Sequence, residues 1–143
     1  MDELLTPPSE AVLLSQLRVL VVEAVPDALV ELCLCLHGQV LAVAMSLVAT
    51  LQDEDVARFG PHIVLLEAGA DDAGLELVPH LHRTWPGIGL ILLIEPGCLE
   101  QRLRGYAMGA DHCLDRRPDE EELTSAMQAL MRRLSALAAP WAD

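Results

Sequence analysis

The chain has 143 residues, with 22 acidic residues against nine basic ones, all of them arginine, and a formal net charge of −13. Hydrophobic residues make up 52% of it, which fits one globular domain and excludes a disordered chain. No apolar stretch approaches the roughly 18–20 residues that span a bilayer, and so acidic a surface repels phosphate backbones, which argues against direct nucleic-acid binding.

Strand-like and helix-like patterns alternate along the sequence. Residues 1–16 read as an N-terminal extension, acidic at its start and without the positive n-region of a secretory signal; Ser9 to Gln16 has the composition of a short helix. Leu17 to Glu23 reads as a first strand, and Pro26-Asp27 as the opening of a helix that stops at Gly38. Val40 to Met45 is a second apolar strand, with Ser46 as the N-cap of a helix to about Phe59. Ile63 to Glu67 is the third strand. A helix from Gly74 to Thr84 follows, in which Pro79 predicts a kink or a late start. Ile88 to Ile94 is the fourth strand, and Leu99 to Met108 a helix closed by Gly109. Asp111 to Asp115 is a short fifth strand. The last helix runs from Glu120 to about Ala136, with Glu120, Glu121 and Glu122 at its positive end. Apolar strands alternating with helices imply an α/β fold, a doubly wound parallel sheet covered on both faces. The domain spans residues 17–134, and 135–143 read as a tail or linker. Four cysteines without a spaced framework suit a reducing, cytoplasmic setting.

In such sheets ligands and chemistry gather beyond the carboxyl ends of the strands. Two acids, Glu23 and Glu67, stand at such ends. Around them the sequence resembles the receiver domain of bacterial two-component response regulators, the CheY-like group of flavodoxin-like folds. The resemblance is carried by Arg102-Leu103-Arg104-Gly105-Tyr106-Ala107-Met108-Gly109-Ala110-Asp111, by Leu17 to Glu23, and by Pro61 to Leu66. It is closest to receivers of winged-helix, OmpR-type transcriptional regulators, and it implies five parallel strands in the order 2-1-3-4-5.

The resemblance also implies a working set, and this chain departs from it at nearly every position. Glu67 stands where receivers accept a phosphoryl group on aspartate. Glu23 matches one acid of the Mg²⁺ pair, but Ala24 takes the place of the metal-ligating aspartate. Ile94 replaces the hydroxyl residue that grips the phosphoryl group. Arg116 replaces the lysine, with Arg117 where a cis-proline usually follows; a slip of one residue would align Arg117-Pro118 instead. Cys113 replaces the switch aromatic. Phosphoryl transfer depends on positioning and on neutralisation by metal and cation. Ala24 removes a metal ligand, Ile94 cannot donate a hydrogen bond, and the longer Glu67 displaces its oxygens. The expectation is a non-enzymatic, phosphorylation-independent pseudo-receiver without cofactor or metal, a protein-interaction and dimerisation module in signal transduction or transcription regulation.

Two roles for Glu67 compete. Its carboxylate either imitates a phosphorylated aspartate by pairing with Arg116 or Arg117, or is a solvated acid of a vestigial site. Ile94 and Cys113 favour the second, because the switch pair is gone. Functional alternatives are a working Mg²⁺-dependent phosphoacceptor that uses Glu67, and an effector-binding flavodoxin-like domain. Cys33 with Cys35, and His80 with His82, lie two apart on helices and do not chelate. Asp71, Asp72 and Glu23 near Glu67 would hold a cation weakly at best. The resemblance further implies a homodimer through the fourth helix, fifth strand and fifth helix, on a face of Arg102, Arg104, Tyr106, Asp111, Asp115, Glu122, Met127, Leu130 and Arg133. It implies an output domain or partner regulator as well.

Overall fold

The computed structural model describes residues 14–138. Its strands are β1 (Arg18–Glu23), β2 (Ala42–Leu47), β3 (Ile63–Glu67), β4 (Gly89–Ile94) and β5 (His112–Asp115). Its helices are α1 (Val30–His37), α2 (Asp53–Phe59), α3 (Val78–Thr84), α4 (Leu99–Met108) and α5 (Glu120–Ala138), with 3₁₀ turns at Val48–Thr50 and Leu75–Leu77. All strand pairs are parallel, in the order β2-β1-β3-β4-β5. The expected α/β architecture is therefore the one observed.

The apolar runs of β1, β3 and β4 follow from burial on both faces. Successive side chains of a strand point to opposite sides. Val19, Val21, Ile63, Leu65, Ile91 and Leu93 pack with α1 and α5 through Leu29, Leu36, Leu123, Met127 and Leu130. Leu20, Val22, Val64, Leu66, Leu90, Leu92 and Ile94 pack on the other side with Val56, Leu75, Val78 and Leu81. Each buried aliphatic side chain contributes about 1.5–3 kcal/mol of transfer free energy, so these two layers hold the strand ends in place.

Two expected helix starts move, each for a local reason, and β2 runs over Ala42–Leu47 where Val40 to Met45 was expected. Pro26-Asp27 does not open α1, which begins at Val30. Residues 26–29 form a turn in which Asp27 takes a positive φ of 67°, and the carboxylate of Glu23 accepts the amides of Asp27 and Leu29. Ser46 is not an N-cap, because β2 continues through it to Leu47 in register with Glu23. The helix start lies instead at Gln52, whose amide donates to the Asp55 carboxylate at 3.2 Å. Pro79 gives the late start that its fixed φ requires, falling in the first turn of α3 after a 3₁₀ turn. The helix from Leu99 to Met108 and its Gly109 cap stand as expected. Of the helix expected over Ser9 to Gln16, residues 9–13 lie outside the described residues.

At the opposite end of the sheet His62 ties β1 to β3. Its Nδ1 accepts the Arg18 amide at 3.0 Å, so that nitrogen must be unprotonated. Burial, with Arg18 nearby, lowers the His62 pKa below its usual 6.5, and burial also lowers that of His112. Folded-state pKa values below the unfolded one mean that the unfolded chain takes up protons first as pH falls. Stability is therefore complete above about pH 6.5 and declines as pH drops below it. Urea midpoints at pH 7.5 and 5.5 should show the lower value at pH 5.5, and His62→Gln should flatten that dependence.

Candidate functional site

Glu67 ends β3 at the carboxyl edge of the sheet, and the expectation of a solvated acid fails there. Its side chain is 1% exposed. One carboxylate oxygen accepts the Ala24 amide at 2.7 Å and approaches the Val25 amide at 3.4 Å. The other meets the Arg116 guanidinium at 3.5 Å. The extra methylene that separates glutamate from aspartate lets the carboxylate cross from β3 to the loop after β1. Without those partners a buried carboxylate would neutralise itself or unfold the site.

Arg116 follows β5, anchored by its own amide on the Ile94 carbonyl at 2.8 Å. Its guanidinium also faces Glu95 at 3.8 Å, so one cation spans two acids at the ends of β3 and β4. Of the two arginines that the alignment left open, Arg116 is the one that reaches Glu67. Arg117 lines, together with Arg116, a cavity of about 200 Å³ between α1 and the start of α5.

Glu23, buried like Glu67, spends both oxygens on the amides of Asp27 and Leu29. Ala24 offers no oxygen, and its methyl faces Gly69, where a Cβ would fall 2.8 Å away. Asp72 is turned away from Glu67 toward α4. These residues do not fit a divalent cation: one expected ligand is missing and the remaining acids are committed to amides and arginines. No cluster of three metal-ligating side chains occurs among the described residues.

The remaining positions are equally closed. Ile94 is fully buried in the core and presents no donor. Cys113 is buried, its pKa pushed up to about 11 by that burial, so the thiol is neutral and unreactive. Its thiol approaches the Arg102 carbonyl at 3.6 Å.

Gln101 was not singled out by sequence, and it joins the loops of the site. Buried on α4, it donates to the Gly69 carbonyl at 2.8 Å and to Asp72 at 2.7 Å, and it accepts the Glu95 amide at 2.8 Å. Arg104 also pairs with Asp72 at 3.0 Å. The Gln101 hydrogen bond, helped by Arg104, holds the Asp72 carboxyl below the usual carboxylate range. Past β3 the chain turns back so closely that a Cβ on Gly74 would lie 1.8 Å from the Glu67 carbonyl oxygen. The available signal for Gln101 was a polar residue four positions before Gly105, on the face of α4 that meets the sheet.

The dimer face divides. Met127 and Leu130 do not belong to it: both are buried beneath α5, where Leu130 fills the space over Gly89. The helical phase that puts Leu123 in the core carries them inward as well. Arg104 turns to Asp72, beside the site. Arg102–Asp115 at 3.5 Å and Arg133–Asp111 at 3.1 Å are ion pairs within one chain. Tyr106 and Glu122 remain exposed. The apolar stripe that solvent does meet is Leu99, Leu103 and Tyr106, one turn apart along α4, with Leu103 60% exposed.

No family model and no curated protein matches the sequence. Solved structures do. The receiver domain of DrrB, activated with BeF3, aligns over 82% of this chain and 99% of its own, with a TM-score of 0.62 and 23% identity. The response regulator DrrB, a Thermotoga maritima OmpR/PhoB homologue, has a TM-score of 0.64 at 23% identity, with 82% of this chain covering 54% of that one. NtrX from Brucella abortus has a TM-score of 0.74 at 14% identity, with 85% of this chain covering 28% of that one. The fold is that of response regulator receiver domains.

The tether predicts a graded mutational response. Glu67→Ala strands the Ala24 amide and frees Arg116, and should cost about 2–4 kcal/mol; the pair itself is discounted because Arg116 is 31% exposed. Glu67→Gln keeps an acceptor for Ala24 and should cost about 1 kcal/mol. Equal losses in urea unfolding would contradict the amide anchor.

Proposed function

We propose that this chain is a phosphorylation-independent pseudo-receiver, a non-enzymatic protein-interaction module in bacterial signal transduction or transcription regulation. One observation carries the reading: the carboxylate at the phosphoacceptor position is already buried, bonded to the Ala24 amide and paired with Arg116. A phosphodonor would have to break that anchor to reach an oxygen. Neither a metal ligand at position 24 nor a hydroxyl at position 94 is there to stabilise the transferred group.

The same anchor bears on the two roles of Glu67. A charge that is solvated in a vestigial site would leave Arg116 free. Here Glu67 and Arg116 form a fixed bridge, as the mimic reading requires. Yet Ile94 and Cys113 lack the hydroxyl and aromatic ring that would carry the signal to α4. Instead Gln101 bolts the loops after β3 and β4 to that helix. The reading that follows is a permanently set module, neither switched on nor off.

Its interaction surface is the exposed α4 stripe of Leu99, Leu103 and Tyr106, suited to an output domain or partner regulator. Charge pairing within the chain at Arg102–Asp115 and Arg133–Asp111 leaves few groups for ion pairs across a homodimer on that face. The unpaired cysteines among the described residues fit a cytoplasmic setting.

Incubation with Mg²⁺ and acetyl phosphate tests the reading, with intact-mass spectrometry as the readout. No covalent phosphoryl adduct is expected. A stable adduct that maps to Glu67 would establish the working phosphoacceptor instead.

A further inference from the structure

The two edges of the sheet are treated differently. An edge strand presents a row of unpaired N–H and C=O groups, which proteins usually cover, charge or interrupt. The β5 edge is covered. At Cys113 the outward amide donates to the Tyr106 hydroxyl at 3.1 Å, and the carbonyl accepts Arg102 at 2.7 Å.

Among the described residues the β2 edge has none of these devices. Its only strand neighbour among the described residues is β1, and its sequence, Ala42-Val43-Ala44-Met45-Ser46-Leu47, has no charge and no proline. It lies inside Leu32 to Gln52, the longest run of this chain without aspartate, glutamate, lysine or arginine. Large apolar side chains flank it: Leu34 on α1 is 70% exposed, Leu41 61% and Met45 41%. The helix that carries Leu34 packs on β2.

We infer that β2 is a self-association edge, pairing antiparallel with β2 of a second copy about a two-fold axis to make one ten-stranded sheet. Charge makes this edge the place where two copies can meet. With a net charge of −13, two copies repel each other over most of their surface, whereas β2 itself carries no charge and has Asp55 and Arg58, one of each sign, beside Ala44 and Ser46. Only an extended strand satisfies an edge, and an identical uncharged strand of equal length does so by symmetry. The covered β5 edge stops further addition, so the assembly closes at two copies. Pairing side chains on the same face of an antiparallel ladder puts the axis at Ala44 or Met45. The two Met45 side chains then stand opposite each other or on a diagonal of about 7–8 Å. This interface is separate from the α4 stripe and does not depend on the state of Glu67.

Charge-swap variants measured by sedimentation equilibrium give the test, with circular dichroism confirming the fold. The wild type should sediment at twice the chain mass. Met45→Lys and Met45→Glu should each weaken association at least tenfold, and mixing them one to one should restore the dimer. Leu103→Asp on α4 should leave it intact. A monomeric wild type overturns the inference, as do Met45 variants that associate as the wild type does. A dimer lost through Leu103→Asp alone also overturns it, in favour of the α4 face, while the absence of phosphoryl transfer would stand unaffected.

Discussion

The carboxyl edge of this sheet is organised by one anchored carboxylate. Glu67 is buried where water cannot solvate it, and an ion in that position must find partners within the protein or cost several kcal/mol. It finds the Ala24 amide in the loop after β1 and the Arg116 side chain after β5. Arg116 then faces Glu95 after β4. Four strand ends, β1, β3, β4 and β5, are thereby referred to one group. A Mg²⁺ ion and a phosphoryl group would need those same lone pairs and donors. Glu67 already uses both of its oxygens without them.

The loops beyond the strands are fixed by a second polar group, Gln101. A buried amide that uses its oxygen and both donor directions on three separate backbone or side-chain partners is a rigid cross-link, because breaking any bond leaves an unsatisfied group in the interior. Through Gly69, Asp72 and Glu95 it joins the loops after β3 and β4 to α4. Asp72, held at a positive φ of 64°, is part of that link. Conformational signalling needs two arrangements of comparable energy. On the proposed reading, the residues that would define a second arrangement are replaced by Ile94 and Cys113, both packed into the core.

Much of this was legible in the sequence because it depends on short-range pattern. The apolar runs of β1, β3 and β4 can only be strands buried on both faces, and Gly38, Pro79 and Gly109 punctuate the helices by backbone geometry. The replacements at Ala24, Glu67, Ile94 and Cys113 were equally plain, whereas the choice between Arg116 and Arg117 stayed open by one residue. Burial and partnership were less so. Glu67 read as solvated because nothing local to Ile63–Asp72 announces that an amide 43 residues earlier will bind it. Met127 and Leu130 read as surface because resemblance supplied a face, whereas helical phase from Leu123 puts them inside. Ser46 resembled a cap until pairing with β1 extended the strand through it. The role of Gln101 depends on three loops meeting, which no window of sequence contains.

The central claim is that Glu67 itself fills the site that would otherwise hold a metal ion. Titration of Mg²⁺ into ¹⁵N-labelled protein, followed through the Ala24 and Val25 amides, tests it most directly. Their resonances should stay in place to millimolar Mg²⁺ in the wild type. Saturable shifts of those two amides would contradict the claim, because the ion would then be displacing the carboxylate that is said to exclude it.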